Sequence, residues 1–206
     1  MSVLPAKEIC ERIKYPVHNA RRIVITPWLD KELDRDSVDL NLGCYFRFPV
    51  FTATECIKPF QERDQHIAEH YSELIHRPYG REVDEGGGLI LQPHHTVLAS
   101  TLEYIKLPED ISGQILTKSS WARVFISIAS APWIHPLYRG CLTLEICNLG
   151  NVPVALPIGK PIAQLVFLHV SKEEEELLET GKIESEDIIE GSYAGAVMPE
   201  PPVFPV

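Results

Sequence analysis

"CLTLEICN", Cys141 to Asn148, alternates without a break. Leu142, Leu144 and Ile146 fall on one side of a two-residue period, and Thr143, Glu145 and Cys147 on the other. Such a strand lays its aliphatic side on a core and shows its other side to solvent or to a pocket. Working outward, "LILQP", "TVLASTLEYIKLP", "GQILT" and "RVFISIAS" precede it, while "VPVAL" and "PIAQLVFLHV" follow. Turn residues part these short strands at roughly even spacing, which predicts a mainly β chain: a sandwich, jelly roll or barrel. Nearer the start, "RRIVITP" reads as a strand ended by Pro27. In "SVDLNLGCYFRFPVF", Val38, Leu40 and Leu42 alternate with polar neighbours, and a turn is expected at Gly43 before an aromatic strand.

The departures from this pattern are peripheral. "AKEICERIK" (Ala6 to Lys14) has apolar residues at helical spacing, and "SKEEEELLETGK" reads as an acidic helix. Residues 57–80 are polar and rich in Glu and His, either a helix or an ordered insertion. The expected organisation is one domain over 1–206. It carries an N-terminal helical segment (1–20), the polar insertion (57–80), and an acidic helix with a Pro-rich tail (171–206).

At 206 residues, 45% hydrophobic and 23% charged, the chain has the composition of a globular protein with one core. A formal charge of −10 argues against a broad nucleic-acid surface, yet a few local cations can still hold a small anion. No apolar run has the length of a membrane span, and "MSVLPAKEICERIK" has no signal-peptide core. The five cysteines (Cys10, Cys44, Cys56, Cys141, Cys147) are odd in number and scattered, as reduced thiols in a cytoplasmic protein would be.

Several motifs are weak. "HIAEH" (His66 to His70) matches a zinc-ligand spacing, but no third ligand is evident, and a solvated helix face is the simpler reading. His94-His95 reads as a turn, and Glu173 to Glu176 as a solvated face. "DEGGG" lacks the Lys-Ser/Thr and the helix of a phosphate loop. "TKSSWAR" is different: after a strand it gathers Lys118, Ser119, Ser120 and Arg123, two cations and two hydroxyls suited to phosphate contacts. "HPLYRG" then forms a Pro/Gly-bounded loop, and Glu145 follows on the side of its strand away from the aliphatic residues. From that strand alone, Glu145 is either an exposed strand residue or a proton-transfer group.

Together these stretches resemble the dCTP deaminase branch of the dUTPase-like family. The similarity runs through "DRDSVDLNLG", "LILQPHHTVLASTLEYIKLPEDISGQILTKSSWAR" and "IHPLYRGCLTLEICNLGNVPVALPIGKPIAQLVF", over most of residues 36 to 170. The family's R-S-S-x-A-R corresponds to Lys118-Ser119-Ser120-Trp121-Ala122-Arg123. Its I-D-P-G-[YWF]-x-G corresponds to Ile134-His135-Pro136-Leu137-Tyr138-Arg139-Gly140, and its T-L-E strand to Thr143-Leu144-Glu145. The resemblance implies a distorted jelly-roll β-barrel of the dUTPase-like type with short peripheral helices, assembled as a homotrimer. It implies zinc-free hydrolytic deamination of dCTP to dUTP and ammonia. Glu145 is then the acid/base, and Ser119 and Arg123 orient water and stabilise charge. Lys118, Ser120, Trp121, Ala122, His135, Thr143, Leu144 and Tyr193 complete the implied nucleotide site. Magnesium arrives on the triphosphate and is not held by a protein cage.

This chain also departs from the family pattern. Lys118 exchanges a bidentate guanidinium for a point charge, and His135 stands where the family has Asp. The tail motif K-Y-x-x-Q survives only as "SYAGA", with Tyr193 kept but Ser192 and Ala196 in place of the cation and the amide. Two alternatives therefore stay open beside the deaminase. One is a same-fold enzyme on another cytosine or uracil nucleotide, dUTP pyrophosphatase included. The other is a noncatalytic nucleotide-binding trimer.

Overall fold

The structure is a computed structural model. It describes residues 2–14, 21–28, 36–50, 69–73, 75–76, 86–128, 131–170 and 195–199. In chain order the elements are α1 (Ala6–Lys14), β1 (Val24–Thr26), β2 (Val38–Arg47), β3 (Ile75–His76), β4 (Leu89–Leu91), β5 (Thr96–Lys106) and β6 (Ile111–Thr117). There follow α2 (Ser119–Ala122), β7 (Ile126–Ile128), β8 (Trp133–Ile134), β9 (Arg139–Asn148), β10 (Val154–Leu156) and β11 (Pro161–His169). The mainly β expectation holds. The acidic segment, most of the Pro-rich tail, and most of residues 57–80 lie outside the described residues. Of the polar insertion, Ile75–His76 is a strand paired with Tyr45–Phe46, and Glu69–His70 form a turn where a helix face was expected. His66 lies outside the described residues.

Seven strands make one antiparallel path, β7-β9-β5-β2-β11-β6-β8, with β1 added to β5 and β3 to β2, while β4 and β10 pair separately. The path curls until β7, at one end, comes beside β6. Ile128 of β7 donates its N–H to Thr117 Oγ1 at the end of β6 (2.9 Å), and the same hydroxyl donates to the Ile128 carbonyl (3.0 Å). Among the described residues it is thus a side chain that joins β6 to β7, and one hydroxyl serves as both acceptor and donor.

The aliphatic sides of the strands fill the interior. Leu40, Leu42, Phe46, Ile105, Leu144, Ile146, Leu165 and Phe167 are all fully buried, each contributing on the order of 1.5–3 kcal/mol by removal from water. Buried among them, Glu103 accepts hydrogen bonds from the Asn41 N–H (2.9 Å) and the Asn41 side-chain amide (2.8 Å). A carboxylate inside a core requires such donors. Here they tie β2 to β5 just beyond the Leu42–Thr101 pair, where the ladder ends.

Gly43 does not turn the chain. β2 runs straight through it, and the register of β2 against β5 shifts between Leu42 and Phe46. A Cβ at Gly43 would lie 2.6 Å from Ser100 Oγ and 2.7 Å from the Ser100 carbonyl oxygen. The glycine is there because two backbones approach at an irregularity, the other common reason for glycine inside a strand.

α1 packs on the opposite end from the β6–β7 closure. Arg12 bridges Glu8 (3.1 Å) and Asp110 (2.8 Å), and Glu8 also meets His169 Nε2 at 3.2 Å. Burial pushes the Glu8 carboxyl up, but the hydrogen bonds and charges of His169 and Arg12 outweigh that and hold it below its ordinary value. No helix among the described residues is long and apolar enough to cross a membrane.

Candidate active site

"TKSSWAR" folds as a single helical turn because Lys118, in an extended conformation, offers its carbonyl to the N–H groups of Trp121 (2.9 Å) and Ala122 (3.1 Å). Trp121 packs against the core and donates its indole N–H to the Pro161 carbonyl at 3.0 Å, which pins the turn to β11. The opposite side is presented outward: Ser119, Ser120, Ala122 and Arg123 are exposed. Lys118 is half-buried, and its ammonium is ion-paired with Asp39 of β2. Of the two cations in this turn, Arg123 is the exposed one. The charge of Lys118 is already matched.

Glu145 lies one strand away. Thr117 clasps Ile128, Ile128 pairs with Ile146, and Glu145 is the next residue along β9. The alternation read from the sequence holds: Leu142, Leu144 and Ile146 are buried, while Thr143, Glu145 and Cys147 are half-buried on the outer side. Glu145 faces Leu98 across the ladder and accepts the Ala131 N–H at 3.5 Å. On the same side, burial and then the Glu145 carboxylate push the Cys147 thiol up, which keeps it protonated and unreactive at neutral pH. Leu144 is fully buried, so any contact it makes with a ligand passes through its backbone.

His135 is exposed at the turn between β8 and β9, accepting the Tyr138 N–H at 3.3 Å. Leu137 in that turn has φ +64°, left-handed backbone that favours glycine, and glycine is what the family motif carries there. Tyr193 lies outside the described residues. Ala196 is 9% exposed, and its carbonyl accepts the Cys141 N–H at 2.8 Å. The position where the family has an amide is thus packed against β9.

Lys118 to Arg123 thus follow β6 and Glu145 sits on β9, with β7 between the two strands, while His135 lies in the turn that leads into the far end of β9. Sequence reasoning missed Asp39, Thr117 and the Ala131 N–H. Asp39 carried a usable signal, an acid on the outer side of an alternating strand; the other two depend on tertiary contacts alone. Among the described residues no three His, Cys, Asp or Glu side chains gather as a metal site.

The dCTP deaminase-like family profile matches residues 3–170. A dCTP deaminase, dUMP-forming, from Nanoarchaeum equitans is 37% identical over 165 residues, 78% of this chain and 83% of that protein. One of the same name from Methanobrevibacter smithii is 34% identical over 169 residues, 81% of this chain and 80% of that protein. Those names give dUMP, and not the expected dUTP, as the relatives' product. The fold matches the crystal structure of the 2'-deoxycytidine 5'-triphosphate deaminase of Agrobacterium tumefaciens with a TM-score of 0.56 at 20% identity. That match covers 86% of this chain and 53% of the other.

Proposed function

The chain belongs to the dCTP deaminase-like family, and on that premise we propose that it hydrolyses the exocyclic C–N bond of dCTP with Glu145 as its proton-transfer group. The supporting observation is a half-buried carboxylate on the outer face of β9, with β7 between that strand and the one that ends in a turn of exposed hydroxyls and a guanidinium. Glu145 takes a proton from water as its oxygen attacks C4 of the base. Glu145 delivers that proton to N3 of the ring and then moves the remaining proton of the new C4 hydroxyl to the amine, so the C4–N bond breaks and ammonia leaves as the C4 carbonyl forms. Arg123 and Ser119 stabilise charge as it develops. Ser120 and the turn amides contact phosphate, while Lys118, neutralised by Asp39, contributes orientation more than net charge. Trp121 and Ala122 shape the turn, His135 and Thr143 meet the sugar side, and Tyr193 is assigned to the nucleotide by family resemblance alone. Magnesium enters as part of the substrate, and no zinc is required by this scheme.

The relatives' name favours dUMP over dUTP as the end product. That outcome needs a second water to attack the α-phosphorus and expel pyrophosphate. A homotrimer in the cytoplasm fits this reading. Phe125, Leu149 and Val152 are 65%, 63% and 65% exposed beside α2, an apolar patch that a second subunit would cover while walling the site.

The test incubates the purified protein with dCTP and magnesium and follows ammonia, pyrophosphate and nucleotide together. Ammonia with pyrophosphate supports the dUMP-forming reaction, and ammonia alone supports dUTP. Nucleotide binding without either product overturns the enzyme in favour of a noncatalytic binder. Glu145→Gln keeps the shape and removes the base, so ammonia release falls at least about 10²-fold while binding persists. Turnover close to the unaltered rate returns Glu145 to the role of an exposed strand residue.

A further inference from the structure

Among the described residues β7 covers the edge of β9 at Ile126–Ile128 against Ile146–Asn148. At the other end of β9 that edge is occupied by the C-terminal segment. Gly195 donates its N–H to the Arg139 carbonyl (2.6 Å), and Cys141 donates to the Ala196 carbonyl (2.8 Å), one bond on either side of Gly140. Gly140 has φ +148°, and a Cβ there would come within 2.7 Å of the Ala196 carbonyl oxygen and 3.0 Å of Tyr138 Oη. The segment lies this close because residue 140 has no side chain. Further along, Arg47 at the end of β2 donates Nε–H to the Pro199 carbonyl (2.8 Å) and Nη1–H to the Ser72 carbonyl (3.2 Å).

We propose that Arg47 is a positioning residue: it clasps Gly195–Pro199 as a strap along β9, and the strap fixes the turn that carries His135. The inference rests on the proposed nucleotide site but concerns how one side of it is held. A guanidinium suits the task because its planar fork reaches two carbonyls at once and stays charged at any working pH. The strap bonds to the first residues of β9, directly after the turn, where Tyr138 Oη also donates to the Cys141 carbonyl (2.9 Å). Without the strap the inner side of that end keeps its β5 ladder and the bonds from Leu107 N–H to the Tyr138 carbonyl (2.9 Å) and from Leu137 N–H to the Pro108 carbonyl (3.5 Å), while the outer edge of β9 loses the two backbone bonds that hold it beside the turn. Glu145 lies further along, paired with Leu98 of β5 and next to Ile146, where the β7 ladder begins. Losing the clasp should therefore weaken substrate binding and spare the chemical step.

The experiment compares the unaltered full chain with Arg47→Ala, Arg47→Lys, a deletion of 195–206, and Arg47→Ala within that deletion. Amide hydrogen exchange at Cys141 reports the strap with no nucleotide present, and steady-state kinetics on dCTP report the turn. Arg47→Ala should speed Cys141 exchange, and raise KM on the order of tenfold with kcat held within about twofold, as one charge-assisted hydrogen bond is lost. Arg47→Lys keeps a charged donor group but loses the planar fork, and falls between. In the deletion background Arg47→Ala should change KM no further. Unchanged Cys141 exchange in Arg47→Ala overturns the proposal, as does a KM effect that persists once the strap is gone. Where Arg47→Ala does not fold, Arg47→Lys in both backgrounds carries the same comparison. Absence of dCTP turnover in the unaltered protein counts against the proposed function, while the exchange result still decides the strap.

Discussion

Thr117→Val tests the closure that brings the two halves of the site together. Valine matches threonine in shape but removes the hydroxyl that accepts from Ile128 N–H at 2.9 Å and donates to its carbonyl at 3.0 Å. Ile128 is 4% exposed, so water does not readily replace either partner. Two net hydrogen bonds are worth about 0.5–1.5 kcal/mol each, and a buried donor left unpaired costs about 1–3 kcal/mol. The expected loss is therefore about 2–6 kcal/mol, which for a chain of this length is a fall of roughly 4–24 °C in Tm. Thr117→Ser keeps the hydroxyl and gives up one methyl, about 0.8 kcal/mol. Differential scanning calorimetry on the three proteins gives the stability series, and ammonia release from dCTP gives the functional one. Because the clasp holds the base of α2 against β7, Thr117→Val should lose activity well below its melting range, and Thr117→Ser should largely keep it. Equal stability of the Val and Ser variants would refute the clasp. So would a Val variant within about 0.5 kcal/mol of the unaltered protein, the usual range for an uninvolved surface position.

Gly43→Ala meets backbone atoms at 2.7 and 3.0 Å, so it should cost about 1–3 kcal/mol or more in chemical denaturation; a neutral result would restore the turn read from sequence. Asp39→Asn leaves Lys118 without its charge partner, at a stability cost under about 1 kcal/mol for a partly exposed pair. Binding of dCTP should then tighten relative to dCMP at fixed salt and magnesium, and weaker dCTP binding would show that Lys118 acts only when held by Asp39. Glu8 has a folded-state carboxyl below its ordinary value, so its contribution is present above the unfolded pKa and lost as pH falls through the folded one. Tm measured from pH 7 downward should fall on the acid side, and Glu8→Gln should flatten that limb; parallel curves would mean that the α1 clamp carries no linkage.

The barrel strands and the outward side of Glu145 were legible in the chain because strand alternation is local. A two-residue period assigns each side chain to a face before any partner strand is known, and Leu142, Leu144 and Ile146 fill the core as that period requires. α1 was legible for the same reason, at the helical period. What a local pattern cannot encode is which backbone lies alongside. Gly43 carries one sequence signal for two situations, a turn and a close approach, and only the position of Ser100 on β5 separates them. Lys118 reads as a free cation until β2 brings Asp39 to it across 79 residues of chain. Thr117 reads as a strand end until the curl of the sheet brings Ile128 within reach of its hydroxyl, and Ala196 as a lost ligand until its carbonyl is found on β9. The residue types and their faces are thus written in the sequence, because periodicity and propensity act over a few residues. The pairing of charges, the clasp and the strap were decided by the tertiary structure, because hydrogen bonds and ion pairs act only at contact, and contact is fixed by how the whole sheet closes.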